Sequence, residues 1–197
     1  MRFRIPFALA LLLAIVAVSA RPMAGHAQEN AARPELDATY TYMHSNAPPG
    51  GCGCFSLNGG SVAYAWPLKP GRFALVGDIT ADHAGRIGTA GYTLTLSTFT
   101  VGGRYFLPMK DSLWQPFGQA LIGVAHSSGT LTQPPNLAAA NAGAAFAANL
   151  GGGIDLRPKG RFAFRLVEAD YIVTTFDNAS NNHQNNLRIS VGVVFRF

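Results

Sequence analysis

The chain has 197 residues, of which 48% are hydrophobic and 13% are charged. This length suits one domain and is short for two. The formal charge is +5, and it falls to +2 if Arg2, Arg4 and Arg21 are removed with the N-terminal segment described next. A positive charge this weak and scattered argues against nucleic-acid binding.

The N-terminal residues have the three parts of a secretory signal peptide. Arg2 and Arg4 form its positive start, an apolar run follows over residues 7–18, and small residues come next. We predict cleavage after Ala27, with Ala20 as the competing site. A retained membrane helix is the weaker interpretation, because the apolar run is shorter than the ~20 residues that a span needs. Residues 1–27 are therefore predicted to be a signal peptide that directs export.

The remaining residues, 28–197, contain eight segments in which apolar and polar side chains alternate. Alternation with a period of two is typical of a β-strand with one apolar face. The last segment is the clearest, and its length matches the roughly 9–11 residues of a tilted strand that spans a bilayer. The eight predicted strands cover approximately residues 35–44, 55–66, 72–80, 93–107, 114–126, 144–156, 161–175 and 187–197.

The connections between these strands alternate in predicted length. Those after the second, fourth and sixth strands are short, whereas the others, including residues 81–91, are longer and rich in Gly, Pro, Asn and Ser. Short turns at one end and long loops at the other are typical of outer-membrane barrels, where the turns are periplasmic and the loops extracellular. We predict an all-β fold, an eight-stranded antiparallel transmembrane β-barrel with an up-and-down meander.

A soluble barrel such as a lipocalin would have the reverse arrangement, with the apolar faces inside. Alternation alone does not decide between the two. The apolar faces carry aromatic side chains near strand ends, as at Tyr64 and Trp66, and the opposite faces are too small and polar to fill a dry core. We therefore predict that the apolar faces point outward, into a membrane in which the sheet must close on itself.

Charged side chains within the strands should point into the barrel, because a charge that faces lipid costs a few kcal/mol. We expect these charges to neutralise one another and to plug the barrel, which is too narrow for an open channel. The alternative is that they line a path for ions. The predicted lumen network consists of Arg104 and Arg188 with Asp78, Glu168 and Asp170, joined nearer the periplasmic end by Arg196, with Asp155 as a candidate partner.

Two places break the strict alternation. Leu94 and Leu96 have the wrong parity for the outward face of the fourth strand, so a bulge near residues 97–98 is expected. Arg165 has outward parity in the seventh strand. Either that strand bulges near residues 166–167, or Arg165 reaches along the surface to the headgroups.

Metal and disulfide chemistry have weak signals in this sequence. Cys52 and Cys54 are separated by one residue in an exported chain, so a local disulfide or unbonded thiols are favoured over a zinc site. His44, His83 and His183 lie toward the loop end of the predicted barrel, where solvated histidines are the expected case. No metal site and no cofactor is predicted.

Four stretches, residues 99–105, 116–123, 151–155 and 185–197, together resemble the OmpA-like eight-stranded outer-membrane β-barrel family, without a further C-terminal domain. The resemblance implies location in the outer membrane among lipid and lipopolysaccharide. It also implies delivery by periplasmic chaperones and insertion by the barrel assembly machinery. That machinery recognises a C-terminal strand that ends on an aromatic residue, and the resemblance assigns this signal to Phe195 and Phe197. A monomer is expected.

One motif suggests an enzyme. His126-Ser127-Ser128 has the His-x-Ser spacing that lipid A 3-O-deacylases use, but a serine nucleophile also needs a carboxylate to orient its histidine, and no Asp or Glu occurs between Asp111 and Asp155. The predicted function is therefore a non-enzymatic structural role in envelope integrity, with surface-exposed loops. A small ion or solute pore is the alternative, and a lipid A-modifying enzyme ranks third.

Overall fold

The computed structural model describes residues 33–45, 54–68, 72–89, 91–109, 112–130, 143–158, 160–176 and 183–197. The signal peptide predicted for residues 1–27 lies outside these ranges and remains a prediction. No helix among the described residues is long and apolar enough to span a membrane. The strands are β1 (Glu35–Ser45), β2 (Phe55–Leu68), β3 (Phe73–Ile87), β4 (Tyr92–Phe106), β5 (Trp114–Ser128), β6 (Ala144–Leu156), β7 (Phe162–Thr174) and β8 (Gln184–Arg196).

The eight strands form one closed barrel. Each strand pairs in antiparallel fashion with the next, and β1 pairs with β8, so that no strand edge is left open. The predicted fold class, strand number and meander are confirmed. Both ends of the described barrel, Glu35 and Arg196, lie at the end where the chain makes its β2–β3, β4–β5 and β6–β7 connections, which we call the turn end. The opposite end is called the loop end.

One predicted boundary is wrong, because β3 continues to Ile87 rather than ending near residue 80. Buried and exposed residues keep alternating past Asp82, a polar residue that lies inside the barrel and not in a loop. The chain then reverses near Gly88 and Gly91, which have φ angles of 66° and 68°, a conformation that glycine adopts without steric cost. The predicted long loop over residues 81–91 is therefore a tight hairpin.

The outer surface of the barrel is apolar. Leu150 is 67% exposed and Ile122 is 59% exposed, and large apolar side chains of this kind occur on all eight strands. Every Asp and Glu in the described ranges is buried: Glu35, Asp37, Asp78, Asp82, Asp155, Glu168 and Asp170. This distribution is the reverse of that in a water-soluble barrel, and the predicted assignment of inward and outward faces is confirmed except at Leu94 and Leu96.

The lumen is filled by side chains in two kinds of layer. In the loop-end half, Met43, Leu57, Ile87 and Leu96 belong to an apolar cluster, all 5% exposed or less. We call this cluster the apolar plug. Charged and polar side chains occupy the middle and the turn-end half, beside a smaller apolar cluster that includes Val76.

A bulge in β7 determines where Arg165 points. The pairing of β7 with β8 shifts register between Arg165 and Glu168, so β7 holds one extra residue there. Residues 166–167 both face outward, and Arg165 lies inside, 3% exposed. Of the two alternatives for Arg165, the bulge is correct.

The bulge expected near residues 97–98 of β4 is not present. Pairing of β4 with β3 and β5 runs without interruption through this region. Leu96 therefore points inward and packs in the apolar plug, with Leu94 against it. The prediction failed because it assumed that apolar side chains belong only on the outer face.

Deletion of Leu166 should leave the barrel intact, because it removes the extra residue and keeps Arg165 and Glu168 inside on a regularly paired strand. The refolded variant should match the wild type in mobility on an unheated gel. Deletion of Ala169 is the matched control, since it makes Glu168 and Asp170 neighbours, turns one carboxylate outward, and should therefore reduce the folded band on the same gel. Failure of the Leu166 deletion alone would contradict this account.

Candidate functional site

Two guanidinium groups share one carboxylate at the centre of the lumen. Arg104 Nη1 donates to Asp37 Oδ2 at 2.8 Å, and Arg165 Nη1 lies 2.7 Å from the same oxygen. The three residues are at most 3% exposed. Because they belong to β1, β4 and β7, this contact ties together three parts of the barrel wall that are far apart in sequence.

One aromatic ring contacts both of these arginines. The guanidinium carbons of Arg104 and Arg165 are 4.6 Å and 4.5 Å from the centre of the Phe117 ring, within the range of cation–π attraction. Gly153 leaves space for the ring, because a Cβ at this position would lie 2.9 Å from Phe117 Cζ. The Gly-rich stretch of β6 therefore lets an aromatic side chain contact both positive charges.

Arg165 binds two further carboxylates. Its Nε donates to Asp155 Oδ1 at 2.9 Å, and its Nη1 donates to Glu168 Oε2 at 2.7 Å. Together with Asp37, three acids surround this single guanidinium group. Arginine suits such a position because its five N–H donors spread over a rigid plane.

Gln119 connects this group to the next. Its side-chain oxygen accepts a hydrogen bond from Arg104 Nε at 3.0 Å, and its Nε2 donates to Glu168 at 2.5 Å and to Asp170 at 3.2 Å. Asp170 in turn accepts from Arg188 Nη2 at 2.8 Å. A side-chain amide can accept and donate at the same time. Gln119 therefore joins the group around Arg104 and the group around Arg188 into one continuous network.

The network ends beneath the apolar plug. Arg188 Nη1 donates to Thr80 Oγ1 at 2.6 Å and lies 3.7 Å from Asp78 Oδ1, to which Thr80 also donates at 2.9 Å. Farther toward the loop end, Asp82 accepts a hydrogen bond from Thr41. Asp82 pairs across the strands with Leu96, so this one acid lies at the level of the plug, while the ion pairs lie below it.

Arg196 does not join these residues as predicted. Its Nη2 donates to the carbonyl oxygens of Pro158 and Gly160, at 3.0 Å and 2.8 Å, in the turn after β6. The reason is its place at the last position of β8, below the level of the network. Arg157 lies closer to the predicted partner, 3.6 Å from Asp155.

The structure places the other predicted network residues inside the barrel, in contact with one another directly or through one side chain: Asp78, Arg104, Glu168, Asp170 and Arg188. The network predicted from the sequence did not include Asp37 and Gln119, although strand alternation puts both on inward faces. Strand parity was the available signal for both residues. Parity does not say which residues meet across the lumen, so their partners could not be predicted from it.

The two terminal aromatic residues lie in a band at the turn end. The rings of Phe195 and Phe197 are 5.0 Å apart, Phe162 is 5.1 Å from Phe195, and Tyr64 is 6.5 Å from Phe197. Trp66 extends the band at 6.3 Å from Tyr64. Aromatic bands of this kind lie at membrane interfaces in outer-membrane barrels.

The remaining predicted residues form no site in the described ranges. Cys54 is exposed at the start of β2, while Cys52 lies outside the described residues, so the disulfide remains a prediction. No group of His, Cys, Asp and Glu within the described ranges is arranged to hold a metal ion. Ser127 points into the lumen and His126 points outward, so only Ser128 shares a face with the histidine.

Comparison with solved structures places this architecture among known barrels. Neisserial surface protein A is similar with a TM-score of 0.62 at 12% identity, over 83% of this chain and 97% of that one. The fold is that of the eight-stranded outer-membrane β-barrels. Ail of Yersinia pestis is similar with a TM-score of 0.50 at 15% identity, over 84% of this chain and 99% of that one. The outer membrane enzyme PagL is similar with a TM-score of 0.50 at 16% identity, over 82% of this chain and 99% of that one.

The similarity of this chain to other eight-stranded outer-membrane barrels is confined to structure. No protein-family model and no curated protein sequence matched it. The resemblance to the OmpA-like barrels noted from the sequence is confirmed at the level of the fold. Barrels of this type include proteins with different activities, so the fold alone assigns none.

Replacement of Asp37 by Asn should destabilise the barrel by about 3–5 kcal/mol, because Arg104 and Arg165 would then face each other without a shared counter-charge. Asp78→Asn is the matched control. Its nearest guanidinium group, that of Arg188, is 3.7 Å away and keeps Asp170, so a smaller loss is expected. Urea unfolding in lipid vesicles measures both. Equal losses would contradict the central role of Asp37.

Proposed function

We propose that the protein is a monomeric structural barrel of a Gram-negative-type outer membrane, which supports envelope integrity without an open pore. Its apolar outer surface and its aromatic band at the turn end support a membrane location. Exposed apolar patches of this extent are rare on water-soluble monomers. The turn end, with both ends of the barrel, would then face the periplasm and the loop end the exterior.

The observation that carries this proposal is the filled lumen. Arg104 and Arg188 are each 1% exposed in the middle of the barrel, and Met43 and Leu57 are 0% exposed nearer the loop end. An ion-pair layer in series with an apolar plug opposes a continuous water path through the described part of the barrel. This argues against the alternative function as a small ion or solute pore.

The partners proposed from this role are those of an integral outer-membrane protein. Lipid and lipopolysaccharide would surround the apolar surface. Periplasmic chaperones and the barrel assembly machinery would deliver and insert the chain, with Phe195 and Phe197 as the terminal signal. The exposure of Phe197, 53%, is consistent with a ring that remains available on the outer surface.

A lipid A-modifying activity is not favoured by the geometry. His126 and Ser128 share the outward face of β5 with the spacing of the deacylase pair. A catalytic histidine needs a carboxylate to orient it, yet all the Asp and Glu side chains within the described ranges are buried in the lumen. We therefore propose a non-enzymatic role.

The first test is conductance. The refolded protein, added to a planar lipid bilayer, should give no steady single-channel currents, because ion pairs and apolar side chains fill its lumen. Folding of each sample is checked by the difference in mobility between unheated and boiled protein. Regular current steps from a sample shown to be folded would contradict the structural role and favour the pore.

The membrane location is tested by Leu150→Arg. Leu150 lies in the middle of β6 on the outer surface, so the variant should lose about 2–4 kcal/mol of stability in vesicles. Ala144→Arg, at the loop end of the same strand, is the matched control and should cost at most about 1 kcal/mol. If both variants were as stable as the wild type and stayed in solution without detergent, the barrel would be a soluble one.

A further inference from the structure

Exposed positive charge is concentrated at the turn end of this barrel. The charged side chains that are exposed in the described ranges are all arginines, and Arg33, Arg72 and Arg161 lie at that end. The remaining one, Arg86, lies near the loop end. The described Asp and Glu side chains are buried in the barrel. An anionic ligand would therefore be attracted to the turn end.

A cavity of about 40 Å³ lies at the same end, and Arg33, Glu35 and Arg157 form one part of its lining. Two guanidinium groups thus face one carboxylate there. A further arginine, Arg196, is the cross-strand partner of Glu35. Arg33 is exposed and the side chain of Arg157 is 18% exposed, so a ligand can reach the cavity from the solution. The charged part of the lining carries more positive than negative charge.

Arg157 is held in place with part of its guanidinium group unused. Its Nη2 lies 3.0 Å from Glu35 Oε1 and 3.6 Å from Asp155 Oδ2, and its guanidinium carbon lies 4.8 Å from the centre of the Phe106 ring. Its Nε is buried and has no hydrogen-bond partner among the described residues. Both ion pairs use Nη2, which leaves Nη1 for a further acceptor. A donor that is oriented in advance loses less freedom when a ligand binds.

The other part of the cavity lining is small and apolar. Ala65 and Ala74, which are 1% and 2% exposed, line the cavity together with Phe106. A volume of about 40 Å³ holds roughly three water molecules, or the three non-hydrogen atoms of one carboxylate group. A phosphate group is larger and fits less well. The lining therefore matches a carboxylate that is attached to a small apolar group, as at the C-terminus of a peptide that ends on a small residue.

We propose that this cavity binds the C-terminal carboxylate of a peptide, and we call Arg33, Arg157, Ala65 and Ala74 the mouth site. The two arginines would donate hydrogen bonds to the carboxylate oxygens, a contact that guanidinium groups make with matched geometry. The small terminal side chain would pack against the two alanines. In the proposed orientation the turn end faces the periplasm, so the peptide would be a periplasmic one. Binding itself requires only the folded barrel.

The test is a titration of the refolded protein in detergent with N-acetylalanine, followed by NMR of isotope-labelled alanine methyl groups. The methyl signals of Ala65 and Ala74 should shift until the site is saturated, whereas those of Ala125 and Ala147 in the apolar plug should not shift. N-acetylalaninamide has nearly the same shape without the negative charge, so it should bind about ten-fold more weakly. Inorganic phosphate should also bind more weakly.

Two variants test the arginines. Arg33→Gln removes an exposed charge and should weaken binding of N-acetylalanine about ten-fold. Arg157→Lys keeps a positive charge beside Glu35 but loses the planar set of donors, so it should also weaken binding. Arg72→Gln is the matched control. It removes an exposed charge at the same end that does not line the cavity, and it should bind like the wild type.

Equal binding of the amide, tighter binding of phosphate, or unchanged affinity in Arg33→Gln would each overturn the inference. An equal loss in Arg72→Gln would do the same, because it would show attraction by overall charge alone. Only samples whose unheated mobility shows a folded barrel are titrated. A folded, non-conducting barrel that ignores N-acetylalanine therefore refutes the mouth site and leaves the structural role in place. Single-channel currents from a barrel that binds N-acetylalanine would refute the structural role alone.

Discussion

An eight-stranded barrel encloses a space only wide enough for side chains, and here that space must hold all the described acids. A carboxylate without a partner in such a place costs several kcal/mol, so each must meet a guanidinium, amide or hydroxyl group across the lumen. The contact between Asp37, Arg104 and Arg165 is the centre of this arrangement. Three features bring these groups together. The β7 bulge turns Arg165 inward, Gly153 has no side chain to displace the Phe117 ring, and that ring contacts both arginines.

Much of the fold was predictable because its rules are local. Strand number, strand direction and the face of the sheet that points outward follow from alternation, turn residues and aromatic placement along the chain. The inside of the barrel also follows parity, which is why Arg104 and Arg188 could be placed. Asp37, the partner of Arg104, could not be assigned, since which inward residues meet across the lumen depends on the tilt and register of strands that are distant in sequence.

The errors have a common physical origin. Leu96 and Ile87 are apolar residues on the inward face, and the sequence offers no local sign that part of the lumen is apolar. The assumption that polar means inside and apolar means outside therefore produced a bulge that is absent near residues 97–98. It also hid the continuation of β3, where a buried Asp82 looked like part of a loop. Arg165 was the useful exception, because its wrong parity offered a bulge as one of two explanations, and the structure shows that bulge.

The shared carboxylate also has a consequence for how the barrel is assembled. Asp37 lies on β1, whereas its partners lie on β4 and β7, and β1 meets β8 only when the sheet closes. No isolated hairpin of this chain holds both an acid and an arginine of that trio. Neutralisation of Asp37 and sealing of the β1–β8 seam thus coincide, whereas the pairs Arg165–Asp155 and Arg188–Asp170 can form earlier, within the β6–β7 and β7–β8 hairpins. The first strand of the barrel therefore completes the last ion pairs.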